Sequence, residues 1–242
     1  MITVSIVSHG HIQMLPSLLR KLLIFPEVEK IILTLNIPES IDFFDDRIQL
    51  IYNKTPIGFG ANHNQAFSYC DSEFFCILNP DISFDENPFA QLIKPASLDG
   101  VGLVAPIVKN LDGDTEDSVR KFPTPFSIFR RRLFSYCDGY SYAQGGANFY
   151  PEWVGGMCML FNAAVYKKIG GLDEAYYLYV EDVDICTRLW GAGYKLLVCP
   201  SAVVFHDARR ASRKSFRHLY WHISGLARYF FRYLGRFPKV EQ

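Results

Sequence analysis

Short runs of Ile, Val, Leu and Phe alternate with segments of helical spacing across the first third of the chain, and this alternation constrains the fold more than any other feature. Ile2-Thr-Val-Ser-Ile-Val7, Lys30 to Leu35, Ile48 to Tyr52 and Phe74 to Leu78 read as strands. Leu15 to Leu23, with Pro16 near its start, and Ala61 to Tyr69 read as helices. Such alternation produces βαβ units and a mainly parallel sheet. In sheets of this kind ligands bind beyond the carboxyl ends of the strands. The residues after Val7, Leu35, Tyr52 and Leu78 are therefore candidates, and three of those ends carry Ser8, Asn36 and Asn53.

Further along, Val101 to Ile107 reads as a strand and Asn110 to Pro151 as irregular chain rich in aromatics, Arg and Gly. Trp153 to Phe161 reads as one strand containing Gly155-Gly156, where missing side chains permit close approach by a ligand or another segment. A helix over Ala163 to Ile169 should stop at Gly170-Gly171. Glu181 to Trp190 follows as a helix, then Lys195 to Cys199 and Ala202 to Phe205 as short strands, with His206 at the end of the last.

A length of 242 residues with 49% hydrophobic content suits one large α/β domain, or a domain with a small extension. The division expected is 1–210 and a basic extension at 211–242. Net charge is zero but uneven: residues 201–242 carry nine Lys or Arg and two Asp or Glu, against 16 and 23 before them. The six cysteines lack CxxC spacing and mostly sit in apolar runs, which reads as buried free thiols in a reducing compartment. No signal-peptide pattern or membrane-spanning run is present, so a cytoplasmic protein is expected. The absence of GxGxxG after the first strand, and of a Walker A motif, disfavours dinucleotide-dependent dehydrogenases and P-loop enzymes. An acidic body without a recognised module disfavours nucleic acid as a partner.

The chemistry concentrates in Tyr179-Val-Glu-Asp-Val-Asp184. Buried together, its three carboxylates would repel, so the cluster needs a proton, a metal or a reacting hydroxyl nearby. A solvated acidic first turn of a helix is the competing explanation. Asn79-Pro-Asp81 sets a carboxylate just outside a buried strand, as an Asx-turn or as a ligand for Mg²⁺ or Mn²⁺, and His206 is either a core or surface histidine or a second ligand. The turn Gly58-Phe-Gly60 with Asn62, His63 and Asn64 is either structural or the lining of a nucleotide pocket.

These pieces resemble the inverting glycosyltransferases of family 2, with the GT-A fold, and above all their bacterial rhamnosyltransferase-like branch. The resemblance runs to about residue 210. It is carried by the opening strand, Asn53-Lys-Thr-Pro-Ile-Gly-Phe-Gly-Ala-Asn62, Leu78-Asn-Pro-Asp81, Trp153-Val-Gly-Gly156, and Gly170-Gly-Leu-Asp-Glu174 leading into Tyr179 to Arg188. It implies a Rossmann-like sheet flanked by helices. Asp182 would be the base that deprotonates the acceptor hydroxyl, with Glu181 and Asp184 holding the base and its helix. Asp81 would be the surviving carboxylate of a DxD metal motif, Asn79 standing in place of the first Asp, and His206 the family's histidine ligand. Ser8, Asn36, Asn53, Gly58, Asn62, Gly155 and Gly156 would complete the nucleotide-sugar site. The family often has Asp where this chain has Asn36.

The implied reaction moves a sugar, rhamnose from dTDP-rhamnose as the leading donor, to a hydroxyl of a bacterial cell-surface glycan or lipid-linked acceptor. A UDP-sugar donor (galactose, N-acetylglucosamine or a furanose) is the alternative, and a weakly catalytic sugar-nucleotide-binding subunit is the rival from another class. A divalent cation, Mn²⁺ or Mg²⁺, is the expected cofactor, and a homodimer is compatible with the reading.

From Phe216 onward, Leu219, Tyr220, Ile223, Leu226, Ala227, Phe230 and Leu234 form one helical stripe, with Arg217, Trp221, Arg228 and Arg232 on the other side. This amphipathic helix is expected at the inner face of the plasma membrane, the alternative being that the stripe packs on the core. Arg130-Arg-Arg132 and Arg209-Arg210 are further candidate phosphate contacts.

Overall fold

The computed structural model describes residues 1–134, 139–207 and 216–240. Cys137 and Arg209-Arg210 lie outside the described residues, as do the side chains of Arg131 and Arg132. Among the described residues, ten strands and seven helices follow one another as β1 (Ile2–Ser8), α1 (Leu15–Ile24), β2 (Val28–Leu35), β3 (Ile48–Tyr52), α2 (Phe59–Phe67), β4 (Phe74–Leu78), β5 (Ile82–Ser83), α3 (Phe89–Ala96), β6 (Val101–Lys109), β7 (Val119–Arg120), α4 (Pro125–Phe134), β8 (Trp153–Val154), β9 (Cys158–Asn162), α5 (Ala163–Lys168), α6 (Glu181–Gly191), β10 (Lys195–His206) and α7 (Phe216–Tyr233). The central sheet has the order β3-β2-β1-β4-β9-β6-β10-β5. Strands β3, β2, β1 and β4 are parallel neighbours, as are β6 and β10; β9 runs antiparallel between β4 and β6, and β5 lies antiparallel on β10.

Strand β4 shows why the sheet sits between two layers. All five of its residues are buried, and their side chains alternate in direction. Phe74, Cys76 and Leu78 join a core with Leu15, Leu19 and Leu22 of α1 and Phe89 and Leu92 of α3. Phe75 and Ile77 join the opposite core with Tyr166 of α5, Ile185 and Leu189 of α6 and Tyr229 of α7. Burial on both faces is what makes such a strand read as an unbroken apolar run.

The structure differs from the sequence-based expectation in four places. Trp153 to Phe161 is two strands, because the chain turns at Gly155-Gly156-Met157: β8 pairs with β7 in a separate two-stranded sheet and β9 enters the main sheet. Lys195–Cys199 and Ala202–Phe205 are one strand, β10, whose register against β6 slips between Cys199 and Val203, so that Pro200 sits in the irregularity. The stretch from Asn110 to Pro151 contains β7 and α4, and α3 was not expected. Finally, α7 docks by the side opposite its apolar stripe. Gly225 and Tyr229 are buried, Trp221 stacks on Tyr177 at 4.5 Å, and Arg228 and Arg232 reach Asp173 at 3.8 and 2.7 Å. Trp221, Arg228 and Arg232 therefore serve the helix–domain contact. Of the stripe, Leu226 and Phe230 pack at the edge of the core, while Leu219, Tyr220, Ile223, Ala227 and Leu234 remain exposed.

Candidate active site

The start of α6 is built on a strained turn. Tyr179 and Val180 have φ of 72° and 73°, a left-handed conformation that a β-branched residue rarely adopts and that costs about 1–3 kcal/mol per residue. Neighbours hold it. The Asp184 N–H donates to the Val180 carbonyl at 2.9 Å, the Tyr179 hydroxyl bonds His218 Nδ1 at 2.8 Å, and Gly225 of α7 lies flat against Val180. A Cβ on Gly225 would come within 3.1 Å of Val180 Cγ2. The turn delivers Glu181 and Asp182 to the wall of a cavity of about 570 Å³ that Asn79, Arg120, Gly155 and Gly156 also line.

Both Asp182 oxygens are oriented by backbone donors: Oδ1 accepts from the Val183 N–H at 2.8 Å and Oδ2 from the Gly156 N–H at 3.2 Å. Burial raises its pKa above the usual carboxylate range, although these N–H groups and the charge of Arg120 oppose the rise. A raised pKa makes a stronger base while the carboxylate stays aimed. Glu181 is 5% exposed, and its Oε2 is buried with no hydrogen-bond partner among the described residues. Burial and the adjacent Asp182 charge push its pKa well up. The two neighbours thus have different ionisation tendencies, as two carboxyls with separate roles require.

At the carboxyl ends of β4 and β10, Asp81 Oδ2 lies 3.3 Å from His206 Nε2, and His206 Nδ1 lies 2.8 Å from Glu116 Oε2. Burial lowers the imidazole's pKa, but the hydrogen bonds and charges of Asp81 and Glu116 outweigh it and raise the value to about 9. Asp81 Oδ1 is buried without a hydrogen-bond partner among the described residues. Two ligands of one ion at about 2.1 Å stand roughly 3 Å apart, so this pair and its spare oxygen match the spacing for a hard divalent cation, which would take the place of the Nε2 proton while Glu116 kept the proton on Nδ1. Among the described residues no three His, Cys, Asp or Glu side chains form a complete cage, so solvent or a ligand's oxygens would have to fill the remaining positions.

The remaining predicted residues form a separate polar cluster beyond β1, β2 and β3. Asn53 Nδ2 donates to Asn36 Oδ1 at 2.8 Å and to Asn62 Oδ1 at 2.7 Å. Asn36 Oδ1 also accepts from the Ile57 N–H, and Asn62 Nδ2 donates to the Ile57 and Gly58 carbonyls. These three amides therefore fix the 53–58 loop. Ser8 Oγ donates to Glu39 Oε2 at 2.7 Å, and Glu39 also accepts from the Gly10 and Ile12 N–H groups, which shapes the turn after β1. His63 bonds Ser5 Oγ at 2.8 Å, and burial drives its pKa down to about 3, so it is a neutral core histidine. Gly58 has a steric reason: a Cβ there would sit 2.8 Å from the Tyr177 carbonyl oxygen. Gly58→Ala should destabilise the protein by about 1–3 kcal/mol, read as a lowered melting temperature; an unchanged melt would show that the Tyr177 segment yields freely.

Three site residues escaped the sequence reading: Glu116, Glu39 and Arg120. Each sits in a polar stretch without distinctive spacing and acquires its partner through the fold. Arg120 is the most informative, since it bonds Asp117 at 2.8 Å, lies over the Trp153 ring and faces the cavity with Asp182.

The family described as Glycosyl transferase family 2 matches residues 33–152. The rhamnosyltransferase WbbL of Escherichia coli K12 is 28% identical, over 98% of this chain and 93% of its own length. The N-acetylglucosaminyl-diphospho-decaprenol L-rhamnosyltransferase of Mycobacterium tuberculosis is 26% identical over 70% of this chain, and the match spans 59% of that relative. Among solved structures, the mannosyltransferase PcManGT of Pyrobaculum calidifontis, in complex with GDP-Man and Mn²⁺, has a TM-score of 0.63 at 15% identity, covering 98% of this chain and 65% of that one. GalNAc-T7 with UDP, GalNAc and Mn²⁺ also scores 0.63, at 16% identity, covering 86% and 44%. At these identities the structures show the shared GT-A fold. The family match and these relatives together support a glycosyltransferase of family 2, and the chain is similar to rhamnosyltransferases at 26–28% identity.

Proposed function

We propose that this family 2 enzyme transfers a sugar with inversion from a nucleotide-sugar donor to a hydroxyl of a lipid-linked acceptor in bacterial cell-surface glycan assembly, at the cytoplasmic face of the membrane. The observation that carries the reading is Asp182, a carboxylate held by two backbone N–H groups at the wall of a cavity large enough for a sugar. There it takes the acceptor proton as the hydroxyl oxygen attacks the anomeric carbon and the nucleoside diphosphate departs from the opposite face. Glu181 supports it. Burial and the Asp182 charge push the Glu181 pKa up, while the Val183 and Gly156 N–H groups favour the charged form of Asp182.

The donor of choice is dTDP-rhamnose; its sugar, though not its nucleotide, is supported by the names of two relatives that each match most of this chain. The lipid-diphosphate acceptor is supported by the name of the mycobacterial relative. The loop held by Asn36, Asn53, Asn62 and Gly58 would receive the base and ribose, with Ser8 at the turn after β1, and Gly155 and Gly156 in the cavity wall would leave room for the sugar. Transfer and hydrolysis measured across dTDP-rhamnose, UDP-galactose and UDP-N-acetylglucosamine test this directly. Turnover with a UDP-sugar and none with dTDP-rhamnose would overturn the donor; no turnover with any would favour a binding subunit.

Asp81 and His206 would hold a divalent cation, and Asn79, two residues before Asp81, lines the cavity that holds Asp182. Bound there, Mn²⁺ or Mg²⁺ supplies positive charge for the leaving diphosphate. EDTA should lower turnover roughly tenfold or more, with recovery on adding Mn²⁺, and Asp81→Asn should weaken Mn²⁺ binding measured calorimetrically by about tenfold or more. Activity indifferent to EDTA, together with unaltered Mn²⁺ binding in the variant, would remove both residues from a metal site.

A further inference from the structure

The catalytic cavity is lined in part by two helices that also carry exposed apolar side chains. Ser127 and Ile128 of α4 and His222 and Leu226 of α7 contribute to its wall, together with Arg120 and Lys121. On the outer surface of α4, Phe126 and Phe129 are 67% and 59% exposed. On α7, Phe216, Tyr220, Ile223, Ala227, Phe231 and Leu234 are all exposed and recur at three- and four-residue steps along a single line. This line is opposite Gly225 and Tyr229, which already satisfy the helix's contact with the domain. The exposed face is thus not a core surface left unpacked.

Charge identifies what covers it. Residues 118–137 and 216–240, which contain these helices, hold ten of the chain's 25 Lys and Arg and none of its 25 Asp and Glu; Arg120, Arg228 and Arg232 are paired with Asp117, Asp173 and Asp184 elsewhere in the domain, and the other seven have no acid within these two segments. A second copy meeting this face across a two-fold axis would oppose cation to cation. An anionic bilayer complements both the charge and the aromatic content, with Arg130 over the Phe126 ring and Arg217 over the Trp221 ring. No described helix is long and apolar enough to cross a membrane, which fits a helix lying in the interface.

We propose that α4 and α7 together form a docking rim that seats the cavity mouth on an anionic lipid bilayer, so that a lipid-anchored acceptor enters between the two helices. The entry route rests on the lipid-linked acceptor proposed above; the docking does not.

Co-sedimentation of the full chain with phosphatidylcholine vesicles, with and without phosphatidylglycerol, separates the two. The wild type should bind the anionic vesicles and release them at high salt. Ile223→Asp with Phe231→Asp, and independently Phe126→Asp with Phe129→Asp, should each weaken binding at least tenfold without altering the melting temperature, since these side chains are exposed. Turnover on a water-soluble acceptor should be unchanged in both, and turnover on a vesicle-embedded acceptor should fall about as far as binding. Wild-type binding retained in either pair, absence of anionic-vesicle binding, or a dimer that the α7 pair dissolves would overturn the docking rim. Vesicle binding lost with vesicle-acceptor turnover intact would overturn the entry route alone. Failure to find turnover with any acceptor leaves the vesicle result standing and counts against the catalytic reading.

Discussion

Asp182→Asn should lower the turnover number by about 10²–10⁴-fold while leaving donor binding and the melting temperature close to those of the wild type, because a positioned general base contributes on that scale. The separation of effects follows from geometry. Asp182 accepts from the Gly156 and Val183 N–H groups, and an amide keeps one acceptor oxygen for them while losing basicity. The forfeited hydrogen bond costs about 1 kcal/mol, small beside the loss of the base. Removing the Asp182 charge also removes one of the two influences that push the Glu181 pKa up, leaving burial as the other. A neighbouring carboxylate in that position could take over part of the role, so Glu181→Gln should be combined with the first substitution. Transfer rates that match the wild type in Asp182→Asn and in the double variant would end the assignment of this pair. A rise in KM at constant kcat would assign Asp182 to acceptor binding instead of proton transfer.

The parts of this site that were legible before the fold are those whose signal is local. Glu181 and Asp182 follow each other in the chain, Gly155-Gly156 is a dipeptide, and Asp81 follows an unbroken apolar strand, so spacing alone drew attention to them. Glu116 could not be found that way: it meets His206 across 90 positions, and in sequence it is one acid among several between Asp112 and Asp117. Arg120 acquires its meaning through β7, a two-residue strand that pairs with β8 after a long excursion. The break in Trp153 to Phe161 was hidden because both halves are apolar, and the turn is specified by two glycines that a strand can also tolerate. For α7 the stripe was legible and its orientation was not. Periodicity reports that two faces differ; which one meets the domain depends on partners such as Tyr177, Val180 and Thr187, none of them on the helix.

Asp184→Ala should destabilise the fold by about 3–5 kcal/mol, the range for removing one partner of a buried charged network, and so lower the melting temperature by roughly 10 °C. Asp184 is fully buried. Its Oδ2 accepts from Arg188 Nε at 2.7 Å, one turn along α6, and its Oδ1 accepts from the Tyr233 hydroxyl at 2.9 Å and Arg232 Nη1 at 3.2 Å, both from the end of α7. Arg188 in turn donates to the Ile169 and Gly171 carbonyls, which fixes the loop leading into the catalytic turn. One carboxylate thus ties together the helix bearing Asp182, the Gly170-Gly171 corner and the C-terminal helix. Arg232→Ala removes a partner that is 41% exposed, where solvent screens the interaction, so its cost should be near 1 kcal/mol or less. The contrast is the test. In Asp184→Ala the loss of the Tyr233 and Arg232 anchors should also expose α7 to limited proteolysis, whereas Arg232→Ala should cleave little faster than the wild type. Equal melting temperatures and equal cleavage rates for the two variants would mean that α7 is held by Tyr229 and its apolar neighbours alone, and that Asp184 is no more than a favourable charge in the first turn of α6.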